Sequence, residues 1–150
     1  MMRKLMMVFL MTASATMIFA QTSDKEAIAK VLNSYKQAIE KLDTANVVSL
    51  FVHDSRVFEQ AKDEGTIGNY LSHHLGPELK EFKSFTFSDY KVDIVVTGDY
   101  AYSTETYIYT IVLAKDGKEI KSQGVATSVL RKTRYGWKIA QTHSSFRKAK

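Results

Sequence analysis

Four histidines, His53, His73, His74 and His143, are the side chains of this 150-residue chain best suited to proton or metal chemistry near neutral pH. With carboxylates from Glu59, Glu78 or Glu105, three of them, His73, His74 and His143, would supply the nitrogen and oxygen ligands that zinc or copper accept. His74, His143 and Glu59 are then the candidate metal set. A hydrogen-bonded histidine in a polar pocket, with no metal and no cofactor, is the simpler assignment. His74 and Glu78 have i, i+4 spacing, but Gly76-Pro77 lies between them and is expected to break the helix face they would share. Neighbouring residues on a helix point about 100° apart, so only one of His73 and His74 can face inward. The apolar stripe of Ile67, Tyr70 and Leu71 selects His74.

Strand alternation supplies further candidates. Trp137, Ile139, Gln141 and His143 fall on one face by period two, which predicts His143 on the covered side toward the open end. Ser103, Glu105, Tyr107 and Tyr109 share a face of another strand. An acid among tyrosines suits a pocket, so Glu105 and Tyr107 are expected inward. Glu59 ends a strand just before the chain turns toward a helix. There it is either a pocket carboxylate, shifted toward neutrality and able to act as a general base, or a rim ion pair with Lys62 or Arg56. No nucleophile elbow, phosphate loop or paired-aspartate metal loop occurs. The absence of cysteine removes thiolate nucleophiles, disulfides and zinc–sulfur sites.

The elements that must position these residues are legible from their periodicity. Ser23-x-x-Glu26 is a capping box, and Ile28, Val31, Leu32, Tyr35, Ile39 and Leu42 continue a helical stripe. Asp43 or Thr44 can cap a shorter second helix that turns Val47, Val48, Leu50 and Phe51 inward. A short strand is expected over 56–60. A third helix starts at Gly65-Thr66, with Pro77 opening a fresh turn toward Leu79 and Phe82. Strands over 85–97, 100–114, 118–133 and 137–146 follow, separated by Gly98-Asp99, Asp116-Gly117 and Tyr135-Gly136. Helices first and a meander afterwards predict an α+β domain, three N-terminal helices packed on a strongly curved antiparallel sheet. The concave face of such a sheet is the physical case for a pocket.

Residues 1–20 read as a secretory signal peptide, with Arg3 and Lys4, an apolar run over 5–18, and Ala20 at the cut. That run is shorter than the roughly 20 residues that span a bilayer. The reading implies a periplasmic or secreted domain over 21–150, free of the membrane after cleavage. The chain's formal charge of +5 is scattered rather than gathered on a basic face, so no nucleic-acid partner is expected.

The order of elements resembles the nuclear transport factor 2-like superfamily of cone-shaped, cystatin-like domains. Val125-Ala126-Thr127-Ser128-Val129-Leu130-Arg131, Gly136-Trp137-Lys138-Ile139 and His143-Ser144-Ser145 are similar to the closing strands of SnoaL-like domains. They also resemble the association domain of calcium/calmodulin-dependent protein kinase type II. The run from Tyr70 to Leu79 is similar to the third-helix segment of exported bacterial members. The resemblance to ketosteroid isomerases implies Glu59 as general base and Tyr35 as oxyanion donor, since the two have those enzymes' separation. It also places Thr127 and Ser128 where the isomerases carry a protonated aspartate, a departure that weakens steroid isomerisation as an assignment.

The fold hosts unrelated functions. The leading expectation is an exported small-molecule-binding domain whose pocket uses Tyr70, His74, Glu105, Tyr107 and Thr127. The alternative is a cofactor-free isomerase, dehydratase or hydrolase with Glu59, Tyr35 and His143 as catalytic residues. A third reading is an oligomerisation hub, and a homodimer through Tyr100, Tyr102, Ile108 and Val112 is compatible with either of the first two.

Overall fold

The computed structural model describes residues 22–149, and the signal-peptide assignment to 1–20 lies outside them. Helix α1 covers 22–40, so Ser23 sits inside the helix rather than ahead of it. Its predicted stripe is the packed one: Ile28 and Leu32 are almost fully buried, with Val31, Tyr35, Ile39 and Leu42 packed against them. Asp24 fastens the start of α1 to the far end of the chain. Its Oδ1 accepts hydrogen bonds from Trp137 Nε1 and Lys132 Nζ, both at 2.9 Å.

The predicted second helix is only a 3-10 turn, Val47–Leu50, because Phe51 already belongs to strand β1 (Phe51–Glu59). Strand β2 (Lys62–Gly65), which the sequence did not announce, folds back on β1 as a hairpin. Its connecting residues Gln60 and Ala61 both adopt left-handed backbone, φ +47° and +66°. Such a turn normally recruits asparagine and glycine, which tolerate that region. Helix α2 (67–80) follows, tied to β1 by a hydrogen bond from Ile67 N to Ser55 Oγ at 3.2 Å.

Pro77 does not interrupt α2. The middle of the helix widens to a π turn, Leu71–Leu75, in which Gly76 N–H bonds to Leu71 O. The extra residue lets Pro77 begin a new helical segment, Gly76–Lys80, where its missing amide and its ring are tolerated. Only glycine fits at the joint, since a Cβ on residue 76 would lie 2.3 Å from Leu71 O.

Strands β3 (Phe82–Thr97), β4 (Tyr100–Leu113), β5 (Glu119–Thr133) and β6 (Gly136–Lys148) form an antiparallel meander. The sheet order is β2-β1-β6-β5-β4-β3, and β1 runs parallel to β6. The sheet is therefore mixed rather than antiparallel, and with β2 and β3 as edges it is open rather than strongly curled. Ala101, Leu130, Trp137 and Ile139 from the sheet meet Ile28, Leu32, Leu75 and Leu79 from the helices in one core. Burying a large aliphatic side chain is worth about 1.5–3 kcal/mol, so this layer carries the fold.

Candidate active site

Between the sheet's inner face and the helices lies a cavity of about 520 Å³. One row of paired residues crosses its floor: Glu59 on β1 neighbours Ser144 on β6, which neighbours Ala126 on β5, which neighbours Glu105 on β4. The two carboxylates thus stand three strands apart, roughly 14 Å between backbones, with small side chains between them. Each accepts a hydrogen bond from a tyrosine hydroxyl. Tyr70 donates to Glu59 at 2.6 Å, and Tyr90 donates to Glu105 at 2.5 Å.

At the Glu59 end the helix brings two histidines to one buried acid. Glu64, on β2, has a fully covered side chain that accepts from His73 Nε2 and His74 Nδ1, each at 3.0 Å, and pairs with Lys62 at 3.0 Å. Burial works to raise the Glu64 pKa. The donors Lys62, His73 and His74 outweigh it and hold the carboxyl at about 2. With Nδ1 held, His74 turns Nε2 toward the cavity, 3.3 Å from Glu78 Oε1 and 3.5 Å from Glu59 Oε2. The i, i+4 spacing of His74 and Glu78 therefore survives Pro77. The Glu78 carboxyl is pushed up by burial and, beyond that, by the charge of Glu59, against a lowering influence from His74. A proton can be passed among Nε2 and these two carboxylates.

At the other end the walls are aromatic. Phe85, Phe87, Tyr90, Tyr107 and Tyr109 line the cavity beside Glu105. Tyr107 lies across β5, where residue 124 must be glycine: a Cβ there would sit 2.2 Å from the Tyr107 ring. Tyr90 reaches the inner face through a β-bulge. Ser88 pairs with Ile108 and Lys91 with Thr106, so Asp89 and Tyr90 together oppose Tyr107, with Asp89 at φ +51°. Burial pushes up the pKa of Glu105, with its bond from Tyr90 in opposition. Burial likewise pushes the hydroxyls of Tyr35, Tyr70, Tyr90 and Tyr107 up, so they stay neutral donors.

The candidates from the sequence divide cleanly. Tyr35, Glu59, Tyr70, His74, Glu105 and Tyr107 all line the cavity. Glu59 takes its hydroxyl partner from Tyr70 on α2 instead of Tyr35 on α1. His143 and Thr127 are exposed on the outer face, paired with each other across β5 and β6. The cause is a bulge in β6: Leu130 pairs with Ile139 but Val129 with Gln141, so the inner face passes from Ile139 to Thr142 and Ser144. Residue 127 is outward because Ala126 and Ser128 are the inward positions of β5. With His143 outside, the set His74, His143 and Glu59 does not assemble. Among the described residues no group of three or more histidine, aspartate or glutamate side chains is arranged to hold a metal. Glu64 and Tyr90 escaped the sequence reading, since β2 and the β3 bulge carry no turn or glycine signal that would reveal them.

A family model described as a SnoaL-like domain matches residues 28–148. Among solved structures, a nuclear transport factor 2-like superfamily protein from Salmonella enterica serovar Typhimurium superposes with a TM-score of 0.73. It is 20% identical, and the match covers 86% of this chain and 94% of that one. A candidate dehydratase of the same superfamily from Streptomyces avermitilis gives 0.74 at 22% identity, covering 86% and 99%. A candidate ketosteroid isomerase from Shewanella frigidimarina gives 0.66 at 30% identity, covering 79% and 94%. No curated protein matches the chain.

Proposed function

As this chain belongs to the SnoaL-like domain family of the nuclear transport factor 2-like superfamily, we propose that its cavity binds a small organic molecule and transfers a proton on it without a cofactor. The observation that carries the reading is the Glu64–His74 pair. A buried carboxylate accepts from Nδ1 and leaves Nε2 facing the cavity between Glu59 and Glu78. A histidine so oriented is a general base whose imidazolium is stabilised by the acid behind it.

In this scheme His74 takes a proton from the carbon next to a carbonyl. Through Glu78 or Glu59 the proton is then returned to another carbon in an isomerisation, or given to a β-hydroxyl that leaves as water as the double bond forms in a dehydration. Tyr35, a neutral hydroxyl on the cavity wall, is the donor to the oxygen that gains charge. Tyr70 positions Glu59 by donating to it. Isomerisation and elimination both begin with that step, which accords with solved relatives carrying either description. A binding domain with no turnover is the second reading. It is favoured by the network already closed among Tyr70, Glu59 and His74, which a ligand need not disturb.

Deuterium exchange separates the two. Small aryl ketones and β-hydroxy ketones are incubated with the protein in D₂O and followed by NMR and mass spectrometry. Wild type is expected to wash deuterium into the position next to the carbonyl. His74→Gln is expected to slow this by about 10²-fold or more, while His143→Ala leaves it unchanged. Exchange that survives His74→Gln overturns the assignment of the base. Ketones that bind without any exchange establish the binding domain instead.

A further inference from the structure

The Glu105 end of the cavity plays no part in that proton transfer, yet it is the more elaborately built. Tyr90 and Tyr107 stand nearly parallel, at 14° with centroids 6.3 Å apart, and Phe87 meets Tyr107 edge-on at 89° and 5.0 Å. Tyr90 and Tyr107 are thus stacked on each other with Phe87 packed against them, so the three rings make one continuous aromatic wall of the cavity. Glu105, only 8% exposed, stands beside that wall on β4.

Rings in this arrangement with a carboxylate at the end have the chemistry that recognises an alkylated ammonium. The ring faces attract the cation and the acid neutralises it. The chain's own lysine supports the point. Lys36 Nζ lies 5.6 Å from the centre of the Phe87 ring and 5.7 Å from that of Tyr90, so a cation is already accommodated against this wall. That ammonium belongs to Glu40, however, at 2.7 Å on the same helix. Lys62 is likewise engaged with Glu64, and His74 with the acids of the opposite end. Among the described residues Glu105 has a tyrosine partner and no cationic one. Burial without a counter-charge raises its pKa, a penalty that a ligand cation would relieve.

The geometry points to Phe87, Tyr90, Tyr107 and Glu105 as an organic-cation subsite that seats the ammonium group of the ligand. This rests on the reading of the cavity as a small-molecule site and names the class of molecule. An aryl or alkyl amine held there places its remaining carbons along the floor of Ala126 and Ser144, toward His74. A carboxylate ligand in the same place would face Glu105 and the negative faces of the rings, and so be rejected.

The test uses three probes that share one benzyl group and differ in charge: benzyltrimethylammonium, benzyl alcohol and phenylacetate. Their affinities for the purified protein are measured by NMR titration, with a thermal melt of every variant. The ammonium is expected to bind at least about tenfold more tightly than either other probe. Glu105→Gln and Tyr107→Leu are each expected to remove most of that preference, weakening the ammonium several-fold more than they weaken benzyl alcohol. Should Tyr107→Leu fail to fold, the isosteric Glu105→Gln carries the test alone. Equal or tighter binding of phenylacetate or benzyl alcohol, or an ammonium preference that outlives Glu105→Gln, overturns the inference and leaves the small-molecule reading standing. If none of the three probes binds, the cation subsite falls, and the ketone experiment decides the small-molecule reading by itself.

Discussion

Replacing Gly76 by alanine reverses the sign that helix propensity would give. In an ordinary helix interior, Gly→Ala gains about 0.5–1 kcal/mol by restricting the unfolded chain and improving the helix. At residue 76 the new Cβ meets Leu71 O at 2.3 Å, more than 1 Å inside the 3.4 Å where ordinary contact begins. The obstacle is backbone, in a turn closed by the Gly76 N–H bond to Leu71 O, so it cannot swing aside as a side-chain tip could. Relieving it opens the π turn. Overpacking of this kind costs about 1–3 kcal/mol, and the lost hydrogen bond about 1 more. Set against the propensity gain, the expected net loss is about 2 kcal/mol, a fall in Tm of roughly 8 °C for a domain of this size. Gly68→Ala in the same helix is the control. Its Cβ would touch only Thr66 Oγ1, at 3.8 Å, so stability should hold or rise by up to about 1 kcal/mol. Thermal and urea melts followed by circular dichroism read both. Gly76→Ala as stable as wild type would refute the π turn, and with it the register that brings His73 and His74 together on Glu64.

Two further outcomes follow from strained or charged positions near the same end of the cavity. Converting the left-handed pair Gln60-Ala61 to Asn-Gly should stabilise the β1–β2 hairpin by about 1 kcal/mol, read as a higher urea midpoint with unchanged slope. Glu64 is held at about 2 when folded, below its ordinary value of 4.5, so its contribution to stability is complete above that value. It is lost as pH falls from 4.5 toward 2. Glu64→Gln should therefore lower Tm at pH 7 and flatten its decline over that acid range; an unchanged slope would mean that the carboxylate is not held by its donors.

Much of the fold was legible because its periodic stretches are long. The stripe of Ile28, Leu32, Tyr35 and Ile39 located α1 and its buried face, and alternation along β4 placed Glu105 and Tyr107 inside. The glycine turns at 98, 117 and 136 bounded the strands, each in left-handed backbone. What could not be read was the hairpin that carries Glu64. Gln60-Ala61 has none of the residues that normally mark such a turn, and β2 is too short to show a period. The parallel pairing of β1 with β6 is set by the whole chain path and leaves no local trace.

The remaining differences share one cause, the insertion of a single residue into a periodic element. The π turn in α2 keeps His74 and Glu78 in contact across Pro77. The bulge at Asp89 carries Tyr90 to the inner face. The bulge near Ala140 carries His143 to the outer one. A period counted through any of these points comes out with the wrong phase, since one extra residue exchanges the faces of a strand. The three insertions border the cavity rather than the core layer of Leu130, Ile139 and Ile28. A regular helix on a regular sheet would bring alternating apolar residues together and close the space between them. Shifting the phase at three places removes some of those residues from the inner face and substitutes the polar groups that chemistry or recognition requires. The departures from periodicity are thus themselves a guide to the site: His74 and Tyr90, the residues placed by the π turn and the Asp89 bulge, are the ones on which the two proposals rest.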